Sequence, residues 1–355
     1  MGPYRVGILG ATGLVGQRLL ERLASHPWFE VRSVGASDRS SGRPYRDVVR
    51  WRLSQDPPEA AGRLKVLPCV PDAFEGCDLV LSGLDAAAAR EIEPAFVAAG
   101  FAVVSNSSAF RMERDVPIVI PEVNAAHLAL VNAQRRRSGG GYLVTNPNCS
   151  VTGLALGLAP LHRAFGVRRV VVATYQALSG AGTEGPRALE IVDNVIPWIP
   201  GEEEKIERET AKILGTPGET GVVPAGIVVS AHCHRVATID GHLEAVSVEL
   251  ERPASPEEAI RVLREFAGDV ADLGLPTAPA RPLVVREEPD RPQPRLDRDA
   301  GNGMTVVIGR VRTCPVLTLR FELLSHNTVR GAAGGTLLNA ELLAARGLLG
   351  RRGRP

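Results

Sequence analysis

A glycine turn between an apolar run and an amphipathic segment is the strongest constraint on the fold. Residues 4–9 are mostly apolar, the motif Gly10-Ala-Thr-Gly13-Leu-Val-Gly16 follows, and apolar residues then recur at helical spacing up to Leu23. Glycine at such a turn lets the backbone approach a pyrophosphate at a helix N-terminus. The pattern predicts the first strand, turn and helix of a dinucleotide-binding domain. A merely tight strand-to-helix turn is the alternative.

The rest of the chain predicts an α/β fold with two kinds of sheet. Short apolar runs alternate with helical patterns up to residue 105, which is typical of a doubly wound parallel sheet of Rossmann type. Beyond Cys149, longer polar–apolar alternations predict a C-terminal α+β domain with a mostly antiparallel sheet. We expect residues 1–148 plus 328–355 to form the first domain and 149–327 the second.

Several segments of the second half carry specific expectations. Helices are predicted at 184–194, at 203–214 and from Ser255 onward. The proline-rich segment 275–302 is expected to form an ordered surface loop without core packing. A last long helix is predicted at 329–349. Its small residues at the start permit close approach to another backbone or a ligand.

Composition excludes several classes of function. The 355 residues carry 41 Lys plus Arg against 40 Asp plus Glu, and no basic stripe is present, so a nucleic-acid partner is not expected. No apolar run reaches the ~18 residues that span a bilayer, so no membrane role is expected. The five cysteines are an odd number without a C-x-x-C pair, which favours a reducing cytoplasm.

Cys149 is the candidate nucleophile. In Thr145-Asn-Pro-Asn148-Cys149-Ser150, the proline ends an extended segment, and Asn148 or Ser150 can cap the helix that follows. A thiol at a helix N-terminus is expected to have a lowered pKa and to be reactive. The alternative is a small buried hydrophobic residue, as expected for Cys69, Cys77 and Cys314.

A cysteine nucleophile needs a proton partner, and three histidines lie between residues 232 and 242. His232 and His234 share one face of a predicted strand, but no third ligand stands at a recognisable spacing, so no metal is expected. His242 follows a predicted turn that could present it to a cleft. An ordinary hydrogen-bonded histidine is an equally good interpretation for each.

Three further segments carry polar groups suited to ligands. Ser37, Arg39 and Ser40 follow the second predicted strand and favour the 2'-phosphate of NADP, although Asp38 keeps NAD open and a solvated turn is the alternative. Residues 200–210 form a charge run in which Glu202 and Lys205 share a helix face that could hold a zwitterion, or simply face solvent. Gln176 precedes a small-residue turn that would admit a flat ring, or that is a plain strand-to-helix connection.

These segments together resemble one known family. The sequences GATGLVG, SNSSAFRM (105–112), PEVN (121–124), TNPNCSVT, YQALSGAG, EEEKIERET, HRVATIDGH and VRGAAGG (329–335) occur in the order found in aspartate-semialdehyde dehydrogenases, most closely those of archaea and fungi. The resemblance implies NADPH-dependent reductive dephosphorylation of L-4-aspartyl phosphate to L-aspartate 4-semialdehyde and phosphate through a cysteine thioester. This reaction serves lysine, threonine, methionine and isoleucine biosynthesis. It also implies a homodimer or homotetramer built through the second domain's sheet.

The resemblance also implies a role for each matching residue. Cys149 would be the nucleophile, His242 the general acid/base and Gln176 the residue that orients the acyl group. Arg235 would bind the α-carboxylate, Glu202 the α-ammonium, and Lys205, Arg111 and Asn148 the phosphate. The implied cofactor positions are Gly10, Thr12, Gly13, Leu14, Val15, Ser37, Arg39, Ser40, Ser179, Gly180 and Asn327. The alternatives are N-acetyl-γ-glutamyl-phosphate reductase, whose blocked amine would not need Glu202, and a non-catalytic dinucleotide-binding protein.

Overall fold

The computed structural model describes residues 2–182 and 185–350. The first sheet has six parallel strands in the order β3-β2-β1-β4-β5-β6. Its strands are β1 Tyr4–Leu9, β2 Phe29–Gly35, β3 Val66–Leu67, β4 Leu79–Ser82, β5 Ala102–Ser105 and β6 Tyr142–Thr145. Parallel strands need crossover connections, and this order reverses between β1 and β4, next to the glycine turn. The doubly wound prediction is confirmed.

The second sheet is mixed, as expected, with six strands in the order β10-β7-β11-β14-β13-β12. Its strands are β7 Val167–Gln176, β10 Val228–Arg235, β11 His242–Leu250, β12 Leu283–Val285, β13 Val306–Thr313 and β14 Leu319–Ser325, and a separate hairpin joins β8 Thr216–Pro217 to β9 Val222–Val223. The central pairs are antiparallel, whereas β10 with β7 and β12 with β13 are parallel. Burial alternates along β11, so one face of the sheet packs against helices and the other faces outward.

The α-helices surround both sheets. They are α1 Leu14–Leu23, α2 Tyr45–Val48, α3 Glu59–Gly62, α4 Ala86–Ala98, α5 Pro121–Asn124, α6 Val131–Arg137, α7 Cys149–Phe165, α8 Ala188–Ile191, α9 Glu202–Ile213, α10 Pro256–Glu265, α11 Pro294–Asp297 and α12 Gly334–Ala345. Single 3-10 turns lie at Asp38–Ser40, Pro71–Phe74, Ala125–Leu130, Leu178–Ala181 and Ala271–Leu273. Among residues 2–182 and 185–350, no helix is both long and apolar enough to cross a bilayer.

Three predictions about the second half were wrong in detail. The segment 275–302 is not a surface loop throughout: Leu283 is buried in strand β12, and Leu275 packs in the core of the first sheet. The strand consists of three apolar residues in a proline-rich segment, and so short a run shows no recognisable strand pattern. The helix expected at 184–194 is a single turn, α8, and residue 184 lies outside the described residues. The last helix ends at Ala345 and begins with a π-helical turn at Val329–Ala333.

Two hydrophobic cores meet at the start of α7. One lies between the first sheet and its helices and includes the buried side chains of α12, while the other lies between the second sheet and α7. Helix α7 begins directly after β6 of the first sheet and crosses the inner face of the second. Its first residue, Cys149, therefore lies at the junction of the two layers.

Candidate active site

The N-terminus of α7 positions the candidate nucleophile. Asn148 is the capping residue: its Oδ1 accepts hydrogen bonds from the backbone N–H groups of Ser150 at 2.9 Å and Val151 at 3.3 Å. The π-helical turn that precedes α12 packs directly on Cys149. A Cβ added to Gly331 would lie 2.8 Å from Cys149 Cβ and 2.9 Å from its Cα, so only glycine fits. The expectation that small residues there permit close approach is confirmed.

Cys149 and His242 form a hydrogen-bonded pair. Cys149 Sγ lies 3.2 Å from His242 Nε2, and His242 Nδ1 accepts a 3.0 Å hydrogen bond from the backbone N–H of Ala177. Because Nδ1 is the acceptor, Nε2 carries the proton of the neutral ring and faces the sulfur. Burial, with a smaller contribution from the Arg235 guanidinium, lowers the pKa of His242 to about 3.

The pKa of the thiol differs from the expectation. Burial, with a smaller contribution from the Glu202 carboxylate, raises the pKa of Cys149 to about 12 against the opposing effect of Arg111 and Arg235. The expected lowering of the thiol pKa was therefore wrong, since desolvation and a nearby anion outweigh the two guanidiniums and the backbone N–H of Ser150. The thiol and the imidazole are both neutral in this state.

Three strand ends of the second sheet bring the other polar groups beside the sulfur. Gln176 of β7 pairs in register with Arg235 of β10, and the antiparallel register of β11 with β7 places His242 next to Gln176 on the other side. All three side chains are buried. Arg235 donates a 2.7 Å hydrogen bond to the carbonyl oxygen of Ala177, which fixes its guanidinium at this edge.

A buried carboxylate lies among these groups. Glu202 begins α9, and its oxygens accept hydrogen bonds from Lys205 Nζ at 2.8 Å, Asn148 Nδ2 at 2.8 Å and Gln176 Nε2 at 3.3 Å. Burial alone would raise the pKa of Glu202, but Lys205 and these amides hold it below its usual value. The residue is therefore an anion at neutral pH, not a solvent-facing member of a charge run.

Arg111 supplies a second buried cation. Its Nη1 donates to Glu209 at 3.0 Å and its Nη2 to the carbonyl oxygen of Asn106 at 2.7 Å, while Nε is buried without a partner among the described residues. Glu209 also accepts a 2.7 Å hydrogen bond from the backbone N–H of Asn148. Arg111 is thus tied to the residue that caps α7.

One cavity of about 870 Å³ connects these groups with the glycine turn. Its walls include most of the predicted site: Gly13, Leu14, Val15, Arg111, Asn148, Cys149, Ser179, Gly180, Glu202, Lys205, Arg235 and Asn327. Asn327 accepts a 2.8 Å hydrogen bond from the backbone N–H of Gly241 and donates one of 2.8 Å to Ser179 Oγ. The cavity therefore joins a dinucleotide-type turn to a charged pocket around the sulfur.

Comparisons with known proteins identify the family. The family models "Semialdehyde dehydrogenase, NAD binding domain" and "Semialdehyde dehydrogenase, dimerisation domain" match residues 5–131 and 158–330. The aspartate-semialdehyde dehydrogenase of Archaeoglobus fulgidus is 51% identical, with 96% of this chain and 98% of the relative covered. The chain belongs to the aspartate-semialdehyde dehydrogenase family. The Saccharomyces cerevisiae member is 44% identical over 98% of this chain and 100% of its own length.

Solved structures of family members agree with this assignment. The crystal structure of the Candida albicans aspartate-semialdehyde dehydrogenase with NADP has a TM-score of 0.92 and 42% identity, with 98% of this chain and 100% of that chain covered. The Vibrio cholerae aspartate-semialdehyde dehydrogenase II complexed with ASA has a TM-score of 0.76 and 27% identity, with 97% and 99% covered. Neither the acetylated-substrate reductase nor a non-catalytic protein is supported by these relatives.

The remaining predicted residues lie behind or outside the cavity wall. Gly10 and Thr12 belong to the glycine turn but do not line the cavity. Ser37, Arg39 and Ser40 follow the carboxyl end of β2, beside the turn, in a short 3-10 segment and are not part of this wall. His232 and His234 lie on β10, and no group of three metal-ligating side chains occurs within 2–182 and 185–350.

Sequence reasoning from single motifs missed part of the wall. Asn106, Ser107 and Ser108 follow β5 and line the cavity, as do Trp198 and Ile199 from the segment before α9. The first three lie in one of the sequences that carried the family resemblance, so that signal was available. The aromatic and apolar pair offered no chemical signal, because only the chain path brings it to the site.

Proposed function

We propose that this protein catalyses the NADPH-dependent reductive dephosphorylation of L-4-aspartyl phosphate to L-aspartate 4-semialdehyde and phosphate. The observation that carries the proposal is the 3.2 Å contact between the buried His242 Nε2 and the Sγ of Cys149, which begins a helix and lines a charged cavity. A nucleophile within hydrogen-bond reach of an imidazole that is itself oriented by a third group, here the Ala177 N–H, is the arrangement typical of covalent acyl transfer.

The charges of the cavity match those of the substrate. An aspartyl phosphate carries one α-carboxylate, one α-ammonium and one phosphate. We assign Arg235 to the carboxylate, because a planar guanidinium can form two parallel hydrogen bonds with it. Glu202 is assigned to the ammonium, and Arg111 with Lys205 to the phosphate. A site built of such fixed charges stabilises the transferring group without a metal ion.

The glycine turn fits a dinucleotide. A Cβ at Gly10 would lie 2.9 Å from the backbone of Gly83, and one at Gly16 would lie 2.4 Å from the Gly10 carbonyl oxygen, so the turn is a compact cradle at the start of α1. Residues 13–15 would hold the pyrophosphate, and Ser179, Gly180 and Asn327 the nicotinamide. Arg39 with Ser37 and Ser40 would favour NADP over NAD. When bound, NADPH supplies the hydride.

The chain's own residues account for the acyl-transfer steps. Cys149 Sγ attacks the acyl carbon, the C–S bond forms as the C–O bond to phosphate breaks, and the thiol proton leaves with the phosphate. Gln176 orients the resulting thioester. As the acyl carbon of the thioester is reduced, His242 Nε2–H donates a hydrogen bond to the developing oxyanion. As the C–S bond breaks, the same group stabilises the departing thiolate, and a solvent proton restores the thiol.

We further propose a homodimer or homotetramer formed through the outer face of the second sheet. Val171, Tyr175 and Val228 are apolar side chains exposed on this face, at 45%, 38% and 65%. Three exposed apolar side chains on one face of a sheet favour a protein interface there. We also propose that residues 1–148 plus 328–355 form one domain and 149–327 the other, and that the protein is located in the cytoplasm. The five unpaired cysteines support the latter.

A phosphate-dependent assay tests the proposed function. L-Aspartate semialdehyde is oxidised in the presence of phosphate and NADP or NAD, with the wild type compared with Cys149→Ala. We expect NADP to be preferred, and the variant to bind NADP normally and lose turnover. Activity of Cys149→Ala near the wild-type rate, or no phosphate dependence in the wild type, would contradict the proposal.

A further inference from the structure

A second, smaller cavity lies beside the active-site cavity. It has a volume of about 500 Å³ and shares three wall residues with the active site: Ser108, Arg111 and Lys205. Its wall also includes the exposed Arg90 of α4 and Arg208 of α9. We call it the lateral cavity.

Cationic side chains line both the active-site cavity and the lateral cavity. Lys205 and Arg208 are three residues apart on α9, so they share a helix face, with Lys205 toward Glu202. Within the part of the chain that the structure describes, neither Arg90 nor Arg208 makes a side-chain hydrogen bond or an ion pair. Both guanidiniums are free to meet an anion.

The lateral cavity is not uniformly positive. Glu113, Glu204 and Glu209 also line it, and Glu209 is already paired with Arg111. Carboxylates next to the guanidiniums oppose tight retention of an anion. The wall is therefore suited to passing a phosphate along and poorly suited to storing one.

The proposed reaction creates a need for such a passage. Phosphate leaves when the thioester forms, while the acyl group stays bonded to Cys149 and before hydride transfer is complete. The proposed nicotinamide positions at Ser179, Gly180 and Asn327 line the active-site cavity but not the lateral cavity. A dianion leaving through Arg111 and Lys205 would not have to pass the bound cofactor.

We propose that the lateral cavity is the route by which inorganic phosphate enters and leaves the active site, with Arg90 and Arg208 as its outer guiding residues. This inference rests on the proposed function. Exposed cations near a site mainly act on encounter with a charged ligand and are screened by salt. The route therefore affects the kinetics of phosphate and leaves those of the aldehyde and NADP unaffected.

The test compares two double variants with the same change in net charge. Arg90→Gln/Arg208→Gln removes the outer cations, whereas Arg135→Gln/Arg136→Gln removes two exposed arginines of α6, which do not line either cavity. Initial rates of aldehyde oxidation are measured against phosphate, aldehyde and NADP at low and high salt. Circular dichroism and melting curves establish that both variants are folded.

We expect kcat/KM for phosphate to fall about three- to tenfold in the first variant at low salt and less at high salt. KM for the aldehyde and NADP should change less than about twofold, and Arg90→Lys/Arg208→Lys should restore the phosphate value. Equal phosphate values in the two glutamine variants, or a parallel rise of all three KM values, would overturn the route alone. A wild type without phosphate-dependent activity would overturn the proposed function as well.

Discussion

Gly331→Ala tests whether turnover depends on the position of the Cys149 sulfur, which the turn containing Gly331 helps to fix. Gly331 lies in the π-helical turn that packs on Cys149, and an added Cβ would meet Cys149 Cβ at 2.8 Å and the Cys149 carbonyl oxygen at 3.1 Å. The turn cannot move away easily. Its Arg330 is fully buried and holds both oxygens of Glu122 through two 2.7 Å hydrogen bonds.

The strain must therefore fall on Cys149. Carbon atoms in van der Waals contact are separated by about 3.5–4.0 Å, so the clash demands a displacement of roughly 0.7–1 Å. A misplacement of about 1 Å at a reacting group can cost about a hundredfold in rate. Overpacking costs about 1–3 kcal/mol in stability, which a chain of this size can survive. We expect kcat to fall between about ten- and a hundredfold, with KM for NADP unchanged.

The assay is the phosphate-dependent oxidation of aspartate semialdehyde, together with the rate at which iodoacetamide alkylates Cys149. Gly226→Ala is the matched control, because an added Cβ there has no neighbour within 4 Å. A folded Gly331→Ala enzyme with wild-type kcat would refute the reasoning, since the sulfur would then tolerate displacement. A lowered kcat in Gly226→Ala as well would show that the effect is not specific to the contact.

Two further predictions concern the buried charges. Arg330→Met should lower the free energy of unfolding by about 3–5 kcal/mol in urea titrations, because it leaves the Glu122 carboxylate buried without its partner. The double variant Glu122→Leu/Arg330→Met should recover part of this loss. A loss in the double variant equal to the sum of the two single losses would contradict the prediction. Glu202→Gln should lower the pKa of the Cys149 thiol from its raised value, because it removes an anion that disfavours the thiolate. The midpoint of the alkylation rate against pH should move down by about 1–3 units, and a midpoint that stays or rises would exclude Glu202 as a cause.

The sequence predicted those parts of the site that depend on local pattern. The glycine turn, the strand before it and the helix after it follow from apolar spacing and glycine placement, and β1 spans Tyr4–Leu9 as expected. Asn148 as the cap of α7 follows from the preference of helix N-termini for short polar side chains. The charges at 202 and 205 needed the family resemblance, because a charge run alone is typical of a solvated helix face.

What the sequence could not predict depends on residues far apart in the chain. The raised pKa of Cys149 results from burial and from Glu202, and neither is visible in the six residues around the sulfur. The proton position on His242 is set by the backbone N–H of Ala177, 65 residues earlier. Strand β12 inside the proline-rich segment is stabilised by pairing with β13, which no local propensity reveals.

Fewer residue types are suitable at position 148, the capping position of α7, than at the N-terminus of most helices. Asp, Ser, Thr and Asn are all favourable capping residues at a helix N-terminus. The side chain at position 148 must also donate a hydrogen bond to Glu202 while its oxygen accepts one from the backbone N–H of Ser150. An aspartate there would have no N–H to donate and would repel the carboxylate, and a hydroxyl has only one polar heavy atom, whereas Asn148 accepts through Oδ1 and donates through Nδ2. Asparagine alone of the four meets both demands. A ligand that displaces the Glu202 carboxylate would therefore also displace the Asn148 amide, and with it the first turn of α7, which carries the Cys149 sulfur.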